Sequence, residues 1–88
     1  MPTLSVFYGI VVTMYTELGS THHLPHIHAK YAEHEISITL DGTILEGNLP
    51  EKKLRQLLVW MDLHHDELIG NWTLIQSGEP HQKIKPLI

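Results

Sequence analysis

Residues 26–42 decide the fold, and they read HIHAKYAEHEISITLDG. In the first half of this stretch apolar residues alternate with His26, His28 and Lys30, and a period of two is typical of a strand with one buried face. The second half alternates in the same way and ends on Asp41-Gly42, a dipeptide that favours a two-residue hairpin turn. The stretch therefore predicts two antiparallel strands, followed by a third beyond the second turn.

The register of these strands follows from the requirement that their apolar residues share one face. A tight turn at Glu33-His34 would pair Tyr31 with Ile36, and the second turn would then set Ile38 opposite Leu45. The opposite face of the sheet would carry only polar side chains. These are His26, His28, Lys30, Ser37, Thr39 and Glu46.

The rest of the chain adds strands at one end and a helix at the other. Residues 4–16 are rich in β-branched and aromatic residues and are interrupted by Gly9, which predicts two short strands. Pro50 suits the first turn of a helix, and an apolar arc beyond it predicts an amphipathic helix of about twenty residues. Residues 83–85 read as a short edge strand. We predict one α+β domain over residues 1–88, an antiparallel meander of about five strands packed on one long C-terminal amphipathic helix.

Composition narrows the classes of function. The 88 residues are 42% hydrophobic and 18% charged, as in a folded globular domain. The chain has no cysteine, which excludes disulfides, thiolate metal sites and cysteine nucleophiles. A formal net charge of -4 disfavours broad binding to nucleic acid. No apolar run is long enough to span a membrane and the N-terminus lacks the pattern of a secretory signal, so we expect a cytoplasmic location.

The histidines give the strongest local signal, because the chain has eight and four of them fall within seven positions. An H-x-H pair on a strand puts His26 and His28 on one face with Cα atoms about 6.5–7 Å apart. Such a pair can hold a divalent ion, and zinc or nickel suits imidazole ligands. His23 or His22 could add a third ligand from the preceding loop, and Glu46 could add a carboxylate.

Two further interpretations need no metal. One histidine could act as general base and the other as general acid, with Lys30 stabilising negative charge on a phosphate. That set of candidate catalytic residues, His26, His28 and Lys30, fits a metal-independent ribonuclease. Alternatively, the histidines are solvated, form hydrogen bonds with neighbouring serine and threonine side chains, or bind a ligand without catalysis. The sequence alone leaves the question of enzymatic activity open.

The helix carries apolar residues outside its predicted buried arc. His65 falls within the arc and is expected to be partly buried. Val59, Trp60 and Leu63 fall outside it, among charged residues, and must be covered either by another part of the chain or by a partner. A homodimeric adaptor that uses these three residues is therefore another hypothesis.

Several of these landmarks together resemble a small bacterial family, domain of unknown function 4160. The resemblance rests on PHIHAKY at residues 25–31, LEGNLP at 45–50, the segment from Trp60 to Trp72, and IKPL at 84–87. It implies a compact α+β domain, often encoded beside another small domain of unknown function, numbered 2442. Such paired genes resemble toxin–antitoxin modules, so it also implies a small partner protein encoded by a neighbouring gene. No catalytic mechanism comes with the resemblance.

Overall fold

A computed structural model describes residues 3–14 and 24–87 of the chain. The five strands are β1 (Thr3–Phe7), β2 (Ile10–Thr13), β3 (His26–Tyr31), β4 (His34–Thr39) and β5 (Ile44–Gly47). The two helices are α1 (Glu51–Leu63) and α2 (His65–Gln76).

The strands form one sheet in the order β1-β2-β3-β4-β5, with every neighbouring pair antiparallel. This confirms the predicted meander. The β1–β2 hairpin turns at Tyr8-Gly9, where both residues have positive φ (50° and 78°). Positive φ at both central residues matches the right-handed twist of the flanking strands, and glycine at the second position adopts it without strain.

The register of β3 and β4 differs from the predicted one by two residues. The turn is Ala32-Glu33, and Tyr31 pairs with His34 rather than with Ile36. Ala32 takes a positive φ of 52°, which allows a two-residue hairpin loop in place of a longer one. Because side chains alternate with a period of two, a shift of two residues leaves every side chain on its predicted face.

The β4–β5 pairing contains an irregularity. Ser37 pairs with Glu46, but Ile38 pairs with Ile44 and not with Leu45, because the register shifts between Ser37 and Ile38.

The core lies between one face of the sheet and the helices. Ile27, Ala29, Ile36 and Ile38 are at most 1% exposed and belong to the main apolar cluster. The helices contribute four buried apolar side chains to the same cluster: Leu57, Trp60, Met61 and Leu68. In α1 the buried positions fall at i, i+3 and i+4, the spacing of one helix face.

The prediction of one long helix is wrong, because the helical segment breaks at His64, whose φ and ψ are -116° and 25°. A continuous helix over residues 51–76 would be about 39 Å long at 1.5 Å per residue. The longest dimension of the domain is only 34 Å. Leu68, which lies beyond the break in α2, is fully buried in the core.

The helical side chains outside the predicted arc differ in burial. Trp60 is covered by other parts of the chain, which was one of the two predicted alternatives: it is fully buried, packs on Phe7 with ring centroids 5.1 Å apart and donates from Nε1 to the Lys85 carbonyl at 2.8 Å. His65 was expected to be partly buried, yet its side chain is 46% exposed. Val59 and Leu63 are exposed, so no described part of the chain covers them. A side chain without exposed surface cannot contact a partner, so only Val59 and Leu63 remain interface candidates.

The C-terminal segment packs along the β1 edge without forming the predicted strand over residues 83–85. Ile84 is buried and donates its backbone N–H to the Leu4 carbonyl at 2.9 Å. The Asn71 side chain holds the same segment, because it accepts from the Gln82 N–H at 2.7 Å and donates to the Gln82 carbonyl at 2.8 Å. One cross-strand bond is too few to make a ladder, and the prolines at 80 and 86 provide no N–H for others.

Alanine substitutions in α1 are expected to distinguish its buried side chains from its exposed ones by their effect on stability. Trp60→Ala removes a fully buried ring and is expected to lower the free energy of unfolding by about 3–5 kcal/mol. Leu63→Ala, three residues further along the same helix, is expected to change it by about 0.5 kcal/mol or less, because that side chain is solvated. Urea denaturation measures both, and equal losses for the two variants would contradict this account of α1.

Candidate functional site

The sheet has a second face, and the register gathers the predicted site residues there. His26 pairs with Thr39, His28 pairs with Ser37, and Ser37 pairs in turn with Glu46. Directly paired residues point to the same side of a sheet. We call the set of His26, His28, Lys30, Ser37, Thr39 and Glu46 the polar face.

His26 is the most enclosed member of the polar face, with only 1% of its surface exposed. Its Nδ1 lies 2.6 Å from the Leu24 carbonyl oxygen, and a carbonyl only accepts, so Nδ1 carries the proton. In the neutral form of such a ring, the lone pair lies on Nε2. The ring lies edge-on to His28 with centroids 5.3 Å apart, and Trp72 lies 5.4 Å away on another side.

The interpretation of His26 as a solvated strand histidine is therefore wrong. Strand alternation places His26 opposite the apolar face correctly, but it cannot show that Trp72 of α2 reaches the ring. Trp72 also packs against the main apolar cluster. No local sequence signal reveals its contact with His26, because the two residues lie far apart in the chain.

His28 is half-buried and contacts the neighbouring strand directly. Its Nδ1 lies 3.0 Å from the Ser37 hydroxyl oxygen, so the hydroxyl and the ring share one hydrogen bond. Ser37 and Thr39 are themselves buried, at 6% and 4% exposed. This part of the polar face is thus organised by hydrogen bonds and packing rather than by solvent.

A groove of about 320 Å³ opens beside His28. The described residues that line it are His28, Glu35, Ile36, Ser37, Glu46 and Gly47. Gly47 holds β5 close at this point, since its φ is 73° and a Cβ there would lie 2.1 Å from the Glu35 carbonyl oxygen. Two carboxylates beside an imidazole favour a cation or a hydrogen-bond donor over an anion.

Lys30 lies on the polar face but outside this groove. It is exposed and pairs in register with Glu35 across the β3–β4 hairpin. The structure therefore brings His26 and His28 together as predicted, and leaves Lys30 nearer the turn of the hairpin.

The predicted metal site is incomplete within the described residues. His26 and His28 provide two imidazoles on one face, but no group of three His, Asp or Glu side chains in residues 3–14 and 24–87 is arranged to hold a metal ion. The predicted additional ligands, His22 and His23, lie outside the described residues. A zinc or nickel site thus stays a prediction.

Comparison with known proteins identifies the family to which the chain belongs. The family model described as a domain of unknown function (DUF4160) matches residues 9–73, which is more than half of the chain. The chain belongs to this family. No curated protein and no solved structure matches it. In the part of the chain that the structure describes, neither helix has the length and hydropathy of a membrane-spanning segment.

Proposed function

We propose that this chain is one component of a two-protein bacterial module of toxin–antitoxin type, and that the polar face around His26, His28 and Lys30 is its working surface. The observation that supports the working surface is the fixed imidazole pair. Burying a polar ring such as that of His26 costs free energy unless its hydrogen bonds are satisfied, and an apolar side chain could fill the same space. A retained, oriented pair of imidazoles is the kind of arrangement that binding or proton transfer requires.

A partner protein also gives a role to the outer side of α1. Val59 and Leu63 are one helical turn apart and are 52% and 66% exposed. Adjacent exposed aliphatic side chains on one helix favour contact with another protein. A second copy of this chain could use the same two residues, and the oligomeric state distinguishes the two cases.

The ribonuclease hypothesis has less support than binding. Phosphodiester cleavage needs positive charge near the histidines. The groove beside His28 instead carries Glu35 and Glu46, and Lys30 is not among the described residues that line it. We therefore assign no reaction to the polar face.

The module is tested by expressing this chain and the product of its neighbouring gene separately and together. We expect one of the two proteins to arrest growth when expressed alone, co-expression to relieve the arrest, and the pair to elute as one complex.

His28→Ala is expected to abolish the growth effect or its relief, because it removes half of the imidazole pair. His34→Ala is the matched control, since His34 is an exposed histidine on the adjacent strand. Normal growth with each protein alone, and separate elution of the two, would contradict the module.

Metal binding is the second candidate function, and the Leu24 contact favours it. Histidines that ligate a metal through one ring nitrogen commonly donate a hydrogen bond from the other N–H to a backbone carbonyl, as His26 Nδ1 does to Leu24. Native mass spectrometry of the untagged protein is expected to find one zinc or nickel ion per chain, lost in His28→Ala and kept in His34→Ala. Full metal content in the His28 variant, or a metal-free native protein after dialysis against either ion, would refute this function without affecting the module.

A further inference from the structure

A different concave surface runs between the β4–β5 turn and the two helices. It consists of two adjoining cavities of about 490 and 280 Å³, and Leu40, Asp41 and His65 line both of them. Of the described lining residues, only Thr39 also belongs to the polar face. We call this surface the helix–turn groove, and its defining residues are Leu24, Leu40, Asp41, Leu58, Asp62 and Ile69.

The helix–turn groove is apolar on its floor and along its walls. Leu40 and Met61 form the floor and are almost fully buried. The walls keep large apolar side chains in solvent, because Leu24, Leu58 and Ile69 are 59%, 36% and 46% exposed. Exposed apolar side chains around a concave surface are typical of a site that anchors the apolar residues of a ligand or partner.

The charges at this groove are all of one sign. Asp41 and Asp62 are exposed at its rim, and none of its described lining residues is lysine or arginine. The surrounding sequence continues the pattern, since residues 56–82 contain four acidic residues and no lysine or arginine. The groove therefore presents a negative potential to an approaching partner.

The rim is held in place before any partner arrives. Asp41 accepts a hydrogen bond from the Thr39 hydroxyl and another from the Thr43 N–H at 3.3 Å. The Thr39 and Thr43 bonds hold the pKa of the Asp41 carboxyl below its usual value, so the carboxylate is charged at neutral pH. Gly42 lies beside α1, since a Cβ at that position would be in ordinary van der Waals contact with Leu58 Cδ2, at 3.8 Å. A preorganised rim lowers the ordering cost of binding.

We propose that the helix–turn groove binds a basic amphipathic segment of a partner protein, with apolar side chains on Leu40 and Met61 and lysine or arginine opposite Asp41 and Asp62. A second copy of this chain is a weaker match, because two of the three basic side chains at the start of its α1 already have partners within the chain. Lys53 donates to the Tyr8 carbonyl at 3.0 Å, and Arg55 is paired with Glu51 at 2.7 Å. The inference rests on the proposed function only in taking the partner to be the other protein of the module.

The probe is a synthetic amphipathic peptide of leucine and lysine, titrated into the ¹⁵N-labelled full chain at low ionic strength. Chemical-shift changes are expected to cluster at Leu40, Gly42, Leu58 and Ile69, with saturable binding. Asp62→Lys is expected to lower the affinity for the peptide about tenfold. Asp66→Lys makes the same change of charge outside the groove and is expected to lower the affinity much less. Ile69→Ser is expected to lower the affinity, whereas Val59→Ser, on the outer side of α1, is expected to leave it unchanged.

Three results would overturn the inference. An all-lysine peptide of the same charge that binds as tightly would show attraction to the acidic surface without docking. Equal losses of peptide affinity in Asp62→Lys and Asp66→Lys would likewise show general attraction to the acidic surface without docking. Concentration-dependent shifts at the groove without any peptide would show that a second copy occupies it.

The same variants separate this inference from the module itself. If the neighbouring gene's product forms a complex that is insensitive to both Asp62→Lys and Ile69→Ser, the inference fails and the module stands. If the leucine–lysine peptide docks as expected but the neighbouring product forms no complex, the module fails and the groove remains a docking site for a basic segment.

Discussion

The antiparallel pairing of β3 with β4 is the constraint on which the rest of the structure depends. Their register pairs Ile27 with Ile38 and thereby supplies the centre of the core. The same register pairs His28 with Ser37 and thereby builds the polar face. A slip of one residue would turn the isoleucines to the outside and the histidine into the core, so core and candidate site cannot change independently.

Much of this arrangement can be predicted from the alternation in residues 26–42 alone. Alternation assigns each side chain to a face whatever the register, which is why a pairing error of two residues at Tyr31 left both faces correct. The helices were less predictable, because no proline or glycine marks the break at His64. The single amphipathic arc misplaced His65, and it could not show that Phe7 and Lys85 cover Trp60.

Burial on the polar face was the least predictable feature of the site. Period-two alternation distinguishes the two faces of a sheet but does not show what covers each of them. His26 is buried, and Trp72, which lies 46 residues further along the chain, contacts its ring. Its contact with the Leu24 carbonyl, in contrast, is local, since the two residues are two positions apart.

The polar face and the helix–turn groove differ in the chemistry of their side chains, although Thr39 belongs to both. The polar face offers oriented imidazoles beside two carboxylates, whereas the groove offers exposed aliphatic walls and a rim of aspartates. The two cavities of the groove meet at Leu40 and Asp41, directly after β4, so one hairpin contributes to both surfaces.

The ring tautomer of His26 tests most directly whether the polar face is organised as described. Long-range ¹H–¹⁵N correlation spectra, recorded at a pH where the rings are neutral, distinguish a proton on Nδ1 from one on Nε2. The account predicts the Nδ1–H form for His26, held by the Leu24 carbonyl, with exposed His34 as the internal reference. A proton on Nε2 of His26 would contradict it, because the carbonyl contact and the orientation of the imidazole pair would then both be wrong.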